Sequence, residues 1–427
     1  ANYMDDNTVT LVLHAPGKEF AFAIGGFSDW KMAEDFYMNK TPDGSHFWVT
    51  IENLTAGEPY TYQYFVDAEI TIADPYTNRI ADPWNDQYID ESTYPGLSYP
   101  EGKTEGIASV FQTAQEDYAW EVTDFTMPAP ESLVVYELLI RDFTEEGSVG
   151  DIHGVMEKLD YLQNLGVNAI ELMPVNEFEG NDSWGYNPSF YFAFDKAYGT
   201  PDAFRAFVDS CHKRGIAVFI DMVLNHSYGQ SPFVQLYFDP NAGDHGQPTA
   251  ENPWYNQQHN FANPSAHWGS DFNHESPYTK ALVDSINTFW MDAFNIDGFR
   301  FDFTKGFSNT PYGESSWGSN YDADRIANLK RMSDAIWQYN PDAYISFEHL
   351  AENSEETELA NYGIFLWGNM NHNYSEGTMG YTGSNKSDLS WISYQERGWN
   401  SPQVLGYMES HDEERLMYKN LEYGNSA

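Results

Sequence analysis

Residues Asp297–Asp302 read DGFRFD, a short strand-like run that carries Arg300 and stops on Asp302. Three other stretches repeat the pattern: DMVLNH at Asp221–His226, YISFEH at Tyr344–His349 and GYMESHD at Gly406–Asp412. Each is a run of apolar residues that ends on Asp, Glu, His or Arg. Strand ends bearing polar chemistry, with helices between the strands, are how a (β/α) barrel active site is written along a chain. Three carboxylates, Asp302, Glu348 and Asp412, lie at ends from which they can converge.

Working outward, strands are predicted at 133–139, 168–173, 216–224, 298–302, 344–348, 363–367 and 404–409, with amphipathic helices between them. The clearest helix has Ser276 as N-cap and Pro277 in its first turn, with Leu282, Ile286, Phe289 and Ala293 on one face. This predicts an α/β fold, a (β/α)8 TIM-type barrel over residues 132–427, of which seven strands are read. A barrel open at one position exposes two strand edges, so a further C-terminal segment is expected to supply an eighth strand. The stretch 227–276 is too long for a βα loop and is expected to form an inserted subdomain. Residues 1–113 are all-β in pattern, with TVTLVLHAP, FAFAIGGF, HFWVTIENL and YTYQYFVD broken by turn residues such as TPDGSH. They predict an immunoglobulin-like β-sandwich, of a kind that binds carbohydrate, with Trp30 and Trp48 in its core. Residues 114–131 are read as a linker.

The chain has 65 acidic and 21 basic residues, a formal charge of −44. That balance argues against nucleic acid and anionic membranes as partners and suits a neutral substrate. Aromatic residues make up 17% of the chain, and flat rings suit the apolar faces of sugars. Cys211 is the one cysteine, so no intrachain disulfide forms; it reads as a buried thiol in the helical stretch 203–214. No run is long enough to span a membrane. The start, ANYMDD, is not a signal peptide; an extracellular or periplasmic protein with its signal removed is expected.

Two further stretches, GVNAIELMPVNEF at Gly166–Phe178 and SWGYNPSFYFAFDKAYGT at Ser183–Thr200, complete a set. With the four strand ends, the region from about Leu133 to Arg415 resembles glycoside hydrolase family 13, the α-amylase family. GGFSDW at Gly25–Trp30 and ADPY at Ala73–Tyr76 are similar to N-terminal domains of branching enzymes and pullulanases. The resemblance implies that Asp302 is the nucleophile, Glu348 the general acid/base and Asp412 the group that grips the sugar 2- and 3-hydroxyls. It implies that His226 and His411 bond sugar hydroxyls, that Tyr186 stacks under the sugar with Trp184 beside it, and that Lys305 holds the leaving-group side. Asp221 would orient Arg300. Asn225 matches a position that binds structural calcium in many members, and Asp239, Asp244 and Asp271 offer further oxygens; the histidine that accompanies calcium there is Gly306 in this chain. The chemistry itself requires no cofactor.

The residues support the same reading. A retaining glycosidase needs a carboxylate nucleophile and a carboxylic acid about 5–5.5 Å apart. Arg300, two positions before Asp302, points to the same side of the strand and is expected to lower the Asp302 pKa; the Asp302 charge is expected to raise that of Glu348. The implied partner is an α-glucan and the implied activity α-1,4 hydrolysis. An α-1,6-acting or branching enzyme is the alternative, since hydrolase and transferase share every residue named. A non-catalytic glucan-binding protein on this fold is the reading from another class, and the three retained carboxylates oppose it.

Overall fold

Seven parallel strands form one sheet in chain order in the computed structural model, which describes residues 1–96, 98–144 and 150–425. They are β1 (Val135–Leu138), β2 (Ala169–Leu172), β3 (Ala217–Met222), β4 (Gly298–Phe301), β5 (Tyr344–Phe347), β6 (Phe365–Asn369) and β7 (Val404–Tyr407). A helix follows each: α1 (Leu159–Leu165), α2 (Pro201–His212), α3 (Pro277–Phe294), α4 (Ala323–Tyr339), α5 (Asn353–Ala360), α6 (Asn371–Thr378) and α7 (Leu416–Tyr423). All seven strands coincide with those read from the sequence. No eighth strand is present among the described residues.

Alternation along these strands decides which residues line the site. Ile170, Leu172, Val218, Ile220, Phe299, Phe301, Ile345 and Phe347 join the main core. The intervening positions face the inside of the arc, where Ala169, Ala217, Phe219, Tyr344 and Phe365 form a separate apolar floor. The Tyr344 ring stacks between Phe219 (4.5 Å) and Phe365 (4.4 Å). Gly298 makes room for it: a Cβ there would sit 2.7 Å from Tyr344 Cβ and 2.2 Å from its carbonyl oxygen. Glu137 pairs with Glu171, and Asp221 with Arg300, in the ladders.

Residues 114–129 carry no regular element, but they are pinned to the barrel. The Asp209 carboxylate on α2 accepts the backbone N–H groups of Glu121 (3.0 Å) and Val122 (2.9 Å). Phe125 stacks on His212 at 3.9 Å, and Phe125, Met127 and Leu133 pack against the apolar floor. The stretch read as a linker thus packs along the barrel as a strap.

The Ser276 hydroxyl accepts the Tyr278 N–H at 3.2 Å, capping α3 as expected. Its buried stripe runs Leu282, Val283, Ile286, Trp290 and Phe294; Phe289 and Ala293 lie at the margin, so the inward face is turned from the one predicted. Cys211 is fully buried. No helix among the described residues is long and apolar enough to cross a membrane.

The N-terminal strands form two antiparallel sheets. One orders Asn2–Asp5, Thr8–His14, His46–Ile51 and Asn39–Lys40; the other orders Ala21–Gly25, Pro59–Val66, Ala108–Gln112 and Ile80–Ala81, with Ile70–Ile72 beside Pro59–Val66. Val9, Leu11, Leu13, Phe47, Val49 and Ile51 are buried against Ala21, Ala23, Tyr62 and Tyr64. Trp48 corrects the sequence reading. Phe47 and Val49 take the inward positions, so period-two alternation turns Trp48 outward, 40% exposed; Trp30 is half-buried. The insert after β3 holds two short antiparallel strand pairs, His226–Ser227 with Ser270–Asp271 and, between them, Phe238–Asp239 with Gln247–Pro248, and a helical turn at Pro232–Gln235.

Candidate active site

Arg300 is fully buried near the end of β4 and organises the site. Its Nη1 donates to Asp221 Oδ2 (2.6 Å) and Asp302 Oδ1 (3.1 Å). Its Nη2 lies 3.1 Å from Glu348 Oε2, within ion-pair distance. Carboxylates from β3 and from the ends of β4 and β5 therefore converge on one guanidinium, because the three strands pair in register. A planar fork with several donors suits this task better than a lysine.

Asp302 has both oxygens occupied: Asn225 Nδ2 donates to Oδ2 at 2.7 Å, opposite the Arg300 contact. Burial pushes the Asp302 carboxyl up to about 6, against the pull of Arg300 and the Asn225 amide. The expected lowering is thus corrected. Withdrawal from water outweighs the nearby cation, whose charge three carboxylates share. Glu348 accepts the Phe303 N–H at 2.9 Å. Burial raises its pKa, Arg300 opposes, and the charges of Asp302 and Asp412 add to the rise. Phe303 sits in the left-handed region (φ 39°, ψ 54°) directly after Asp302. Such a backbone costs on the order of 1–3 kcal/mol and persists where surroundings enforce it.

Asp221 is buried and takes two donors on one oxygen, Arg300 Nη1 and the Tyr186 hydroxyl, each at 2.6 Å. Burial raises its pKa, with Arg300 the strongest opposing influence. The Tyr186 ring stacks on His411, with centroids 5.1 Å apart, and the Trp184 ring meets His411 edge-on at 5.8 Å. Trp184 is 46% exposed at the opening. His226 is buried; its Nε2 donates to the Tyr186 carbonyl at 2.8 Å and its Nδ1 lies against the Asn225 amide. Burial pushes His226 down to about 4, against the bond to the Tyr186 carbonyl.

Asp412 stands at the rim, with its side chain 59% exposed and Oδ1 3.5 Å from His411 Nε2. Lys305, in the short turn after Asp302, is almost buried, with Nζ 5.4 Å from the Phe303 ring; burial lowers its pKa. The structure therefore gathers Asp302, Glu348, Arg300, Asp221, Asn225, Tyr186 and His226 into one cluster. His411, Trp184 and Asp412 sit above it, and Lys305 is set to one side.

Of the oxygens proposed for calcium, Asp271 lies beside Asn225 through its pairing with His226. Asn225 turns its amide nitrogen to Asp302, and Asp271 accepts the Asn256 amide at 2.8 Å. Asp239 lies in a hairpin and Asp244 in its turn. Among the described residues no three carboxylate, histidine or cysteine side chains gather as a metal site. The residues present do not fit a calcium ion at Asn225.

Sequence reasoning missed three groups. Glu137, at the end of β1, accepts the His411 N–H (2.9 Å) and bonds its Nδ1 (2.8 Å). Glu171 on β2 is buried in the barrel. Arg325 donates twice to Glu355 (2.7 Å each) and once to the Lys305 carbonyl (3.2 Å), while His349 Nε2 meets the same Glu355 at 2.9 Å. The signal for the glutamates was a charged residue inside an apolar strand; His349 closed one of the four stretches.

A model of the family described as alpha amylase, catalytic domain, matches residues 111–419. A malto-oligosyltrehalose trehalohydrolase from Saccharolobus solfataricus is 28% identical over 304 residues, which is 70% of this chain and 44% of that protein. A 1,4-alpha-glucan branching enzyme from Aliivibrio fischeri is 30% identical over 356 residues, 78% of this chain and 44% of the enzyme. The chain thus spans under half the length of these relatives. Among solved structures, a pullulanase from Anoxybacillus sp. in complex with maltotriose superposes with a TM-score of 0.70 at 20% identity, covering 97% of this chain and 60% of that one.

Proposed function

This chain belongs to the α-amylase family, and we propose that it is a retaining glycoside hydrolase that cleaves α-1,4-glucosidic bonds in starch, glycogen or maltooligosaccharides. One observation carries the reading: Asp302 and Glu348, from neighbouring strand ends, lie within 3.1 Å of the two terminal nitrogens of a single buried guanidinium. Burial pushes both toward the protonated form, and the Asp302 charge pushes Glu348 further, while the Asn225 amide favours ionised Asp302 and the Phe303 N–H ionised Glu348. A pair of carboxyl groups poised to differ in proton occupancy is what acid-assisted glycoside cleavage requires.

In this reading Glu348 gives its proton to the glycosidic oxygen as Asp302 attacks the anomeric carbon. The C–O bond breaks, the shortened glucan leaves with the proton, and a covalent glycosyl-Asp302 ester remains. Glu348 then takes a proton from water, whose oxygen attacks the same carbon and frees Asp302. Two inversions retain the α configuration. Asp412 grips the sugar hydroxyls, His411 and His226 assist, Tyr186 and Trp184 face the ring, and Lys305 supports the leaving-group side. No step passes through a metal. A neutral glucan and a strongly acidic chain suit an extracellular or periplasmic setting.

The test is a product profile on amylose, pullulan and glycogen, following reducing ends and chain lengths. Short maltooligosaccharides with new reducing ends from amylose support the proposal. Cleavage of pullulan would assign α-1,6 or mixed specificity. Altered branching without new reducing ends would make the protein a transferase, the reading that its branching-enzyme relative and N-terminal sheets favour. No change on any of the three would return the non-catalytic glucan-binding reading.

A further inference from the structure

We infer that Glu137, on β1, is a positioning residue that clasps His411 in the loop after β7, and thereby sets how His411 and Asp412 meet the glucan. The inference rests on the reading of the site as glucan-active. One carboxylate ties the loop after β7 to β1. Glu137 Oε2 accepts the His411 backbone N–H at 2.9 Å, and Oε1 holds Nδ1 at 2.8 Å. The Tyr186 ring covers a face of the imidazole and Trp184 its flank. With Nδ1 engaged, Nε2 is the ring nitrogen left to the opening, 3.5 Å from Asp412 Oδ1. A carboxylate fixing the tautomer and tilt of a histidine through Nδ1 is a recurrent way of aiming Nε2.

The charges facing the ring come from every side. Glu137 and Glu171 lie on β1 and β2, Asp221 and Arg300 on β3 and β4 with the Tyr186 hydroxyl bonded to Asp221, and Asp412 at the opening. Glu171 is held mostly neutral near pH 7, because burial and the Glu137 charge push its pKa up to about 8. Glu137 is then the carboxylate that balances His411. Burial works against a charged His411, and Arg300 does too, but the bond to Glu137 and the charges of Glu137 and Asp412 prevail, raising it to about 9. Glu137 thus keeps His411 an imidazolium whose Nε2–H can donate to a sugar hydroxyl or to Asp412.

The histidine ring signals are titrated by NMR in the wild-type protein, with His411 assigned by its loss in His411→Gln. A midpoint above about 8 supports the clasp, and one near the ordinary value of about 6.5 overturns it. In Glu137→Gln the shape is kept, but the charge and one of the two acceptor oxygens that face His411 are removed. Its kcat/KM on maltooligosaccharides is expected to lie below wild type at pH 5.5 and to fall about tenfold further behind it by pH 7.5, following loss of the imidazolium. An unaltered pH profile overturns the inference. If Glu137→Gln does not fold, the wild-type titration still decides. A protein inactive on every glucan overturns the functional reading, while the titration still decides the clasp.

Discussion

Replacing Glu171 with Gln is expected to stabilise the protein above the pH at which an ordinary glutamate ionises. Glu171 is 2% exposed inside the barrel, and its Oε2 has no hydrogen-bond partner among the described residues. Burial pushes its pKa from 4.5 up to about 8; Glu137 and Asp221 add to the rise, and Arg300 and His411 oppose it. The folded protein therefore keeps a proton that the unfolded chain has already released. The stability this confers is fully present below about 4.5 and is lost as pH rises toward 8. By pH 7 the unfolded state has gained about two and a half pH units of ionisation, which is about 3 kcal/mol at 1.36 kcal/mol per unit. Gln has nearly the same shape and ionises in neither state. Any cost of burying its amide is the same at every pH, so the diagnostic quantity is the change in the gap between the two proteins. Urea midpoints and melting temperatures at pH 4.5, 6 and 7.5 measure it. The variant should gain on wild type by about 3 kcal/mol between pH 4.5 and 7.5. A gap that stays constant with pH, or one that moves against the variant as pH rises, would refute the reasoning.

Asp302→Asn should lower kcat by roughly 10⁴-fold or more while binding of maltooligosaccharide, read by calorimetry, is kept; near-normal turnover would remove Asp302 from the nucleophile role. Because Asp302 must be ionised to attack and is held up to about 6, kcat/KM should decline as pH drops through that value. Asn225→Ala deletes a hydrogen bond that favours the ionised form, so this acid limb should move upward by about one pH unit; a limb that stays in place would show that the amide does not tune Asp302. Prolonged EDTA treatment should leave the melting temperature unchanged, since no three carboxylate, histidine or cysteine side chains gather as a metal site among the described residues; a fall of several degrees would establish a structural ion.

What could be read from the residues, and what could not, separates by the range of the interaction. Arg300 and Asp302 share a face because they are two apart on one strand, and that needed only period-two geometry. The strands themselves were legible as apolar runs between helices. α3 was placed to the residue at its cap, yet its buried stripe is turned toward Val283 and Trp290, because the neighbouring elements decide which part of a broad apolar face is inward. Trp48 was misplaced because aromatic character was allowed to outweigh the alternation of Phe47 and Val49 around it. The sign of the Asp302 shift was beyond reach for a different reason: the arginine is visible in DGFRFD, but the depth of burial that outweighs it is made by the whole barrel. The Glu137 contact lies farther still, between residues 274 positions apart. A strand-end motif can name the groups that do chemistry. It cannot name the group on another strand that aims one of them, since that depends on which strand ends the folded sheet brings together. Here that meeting is two bonds from one histidine to one glutamate. The predicted sensitivity of the site to Glu137 is therefore a property of the tertiary contact, as much as of the residues that carry the motif.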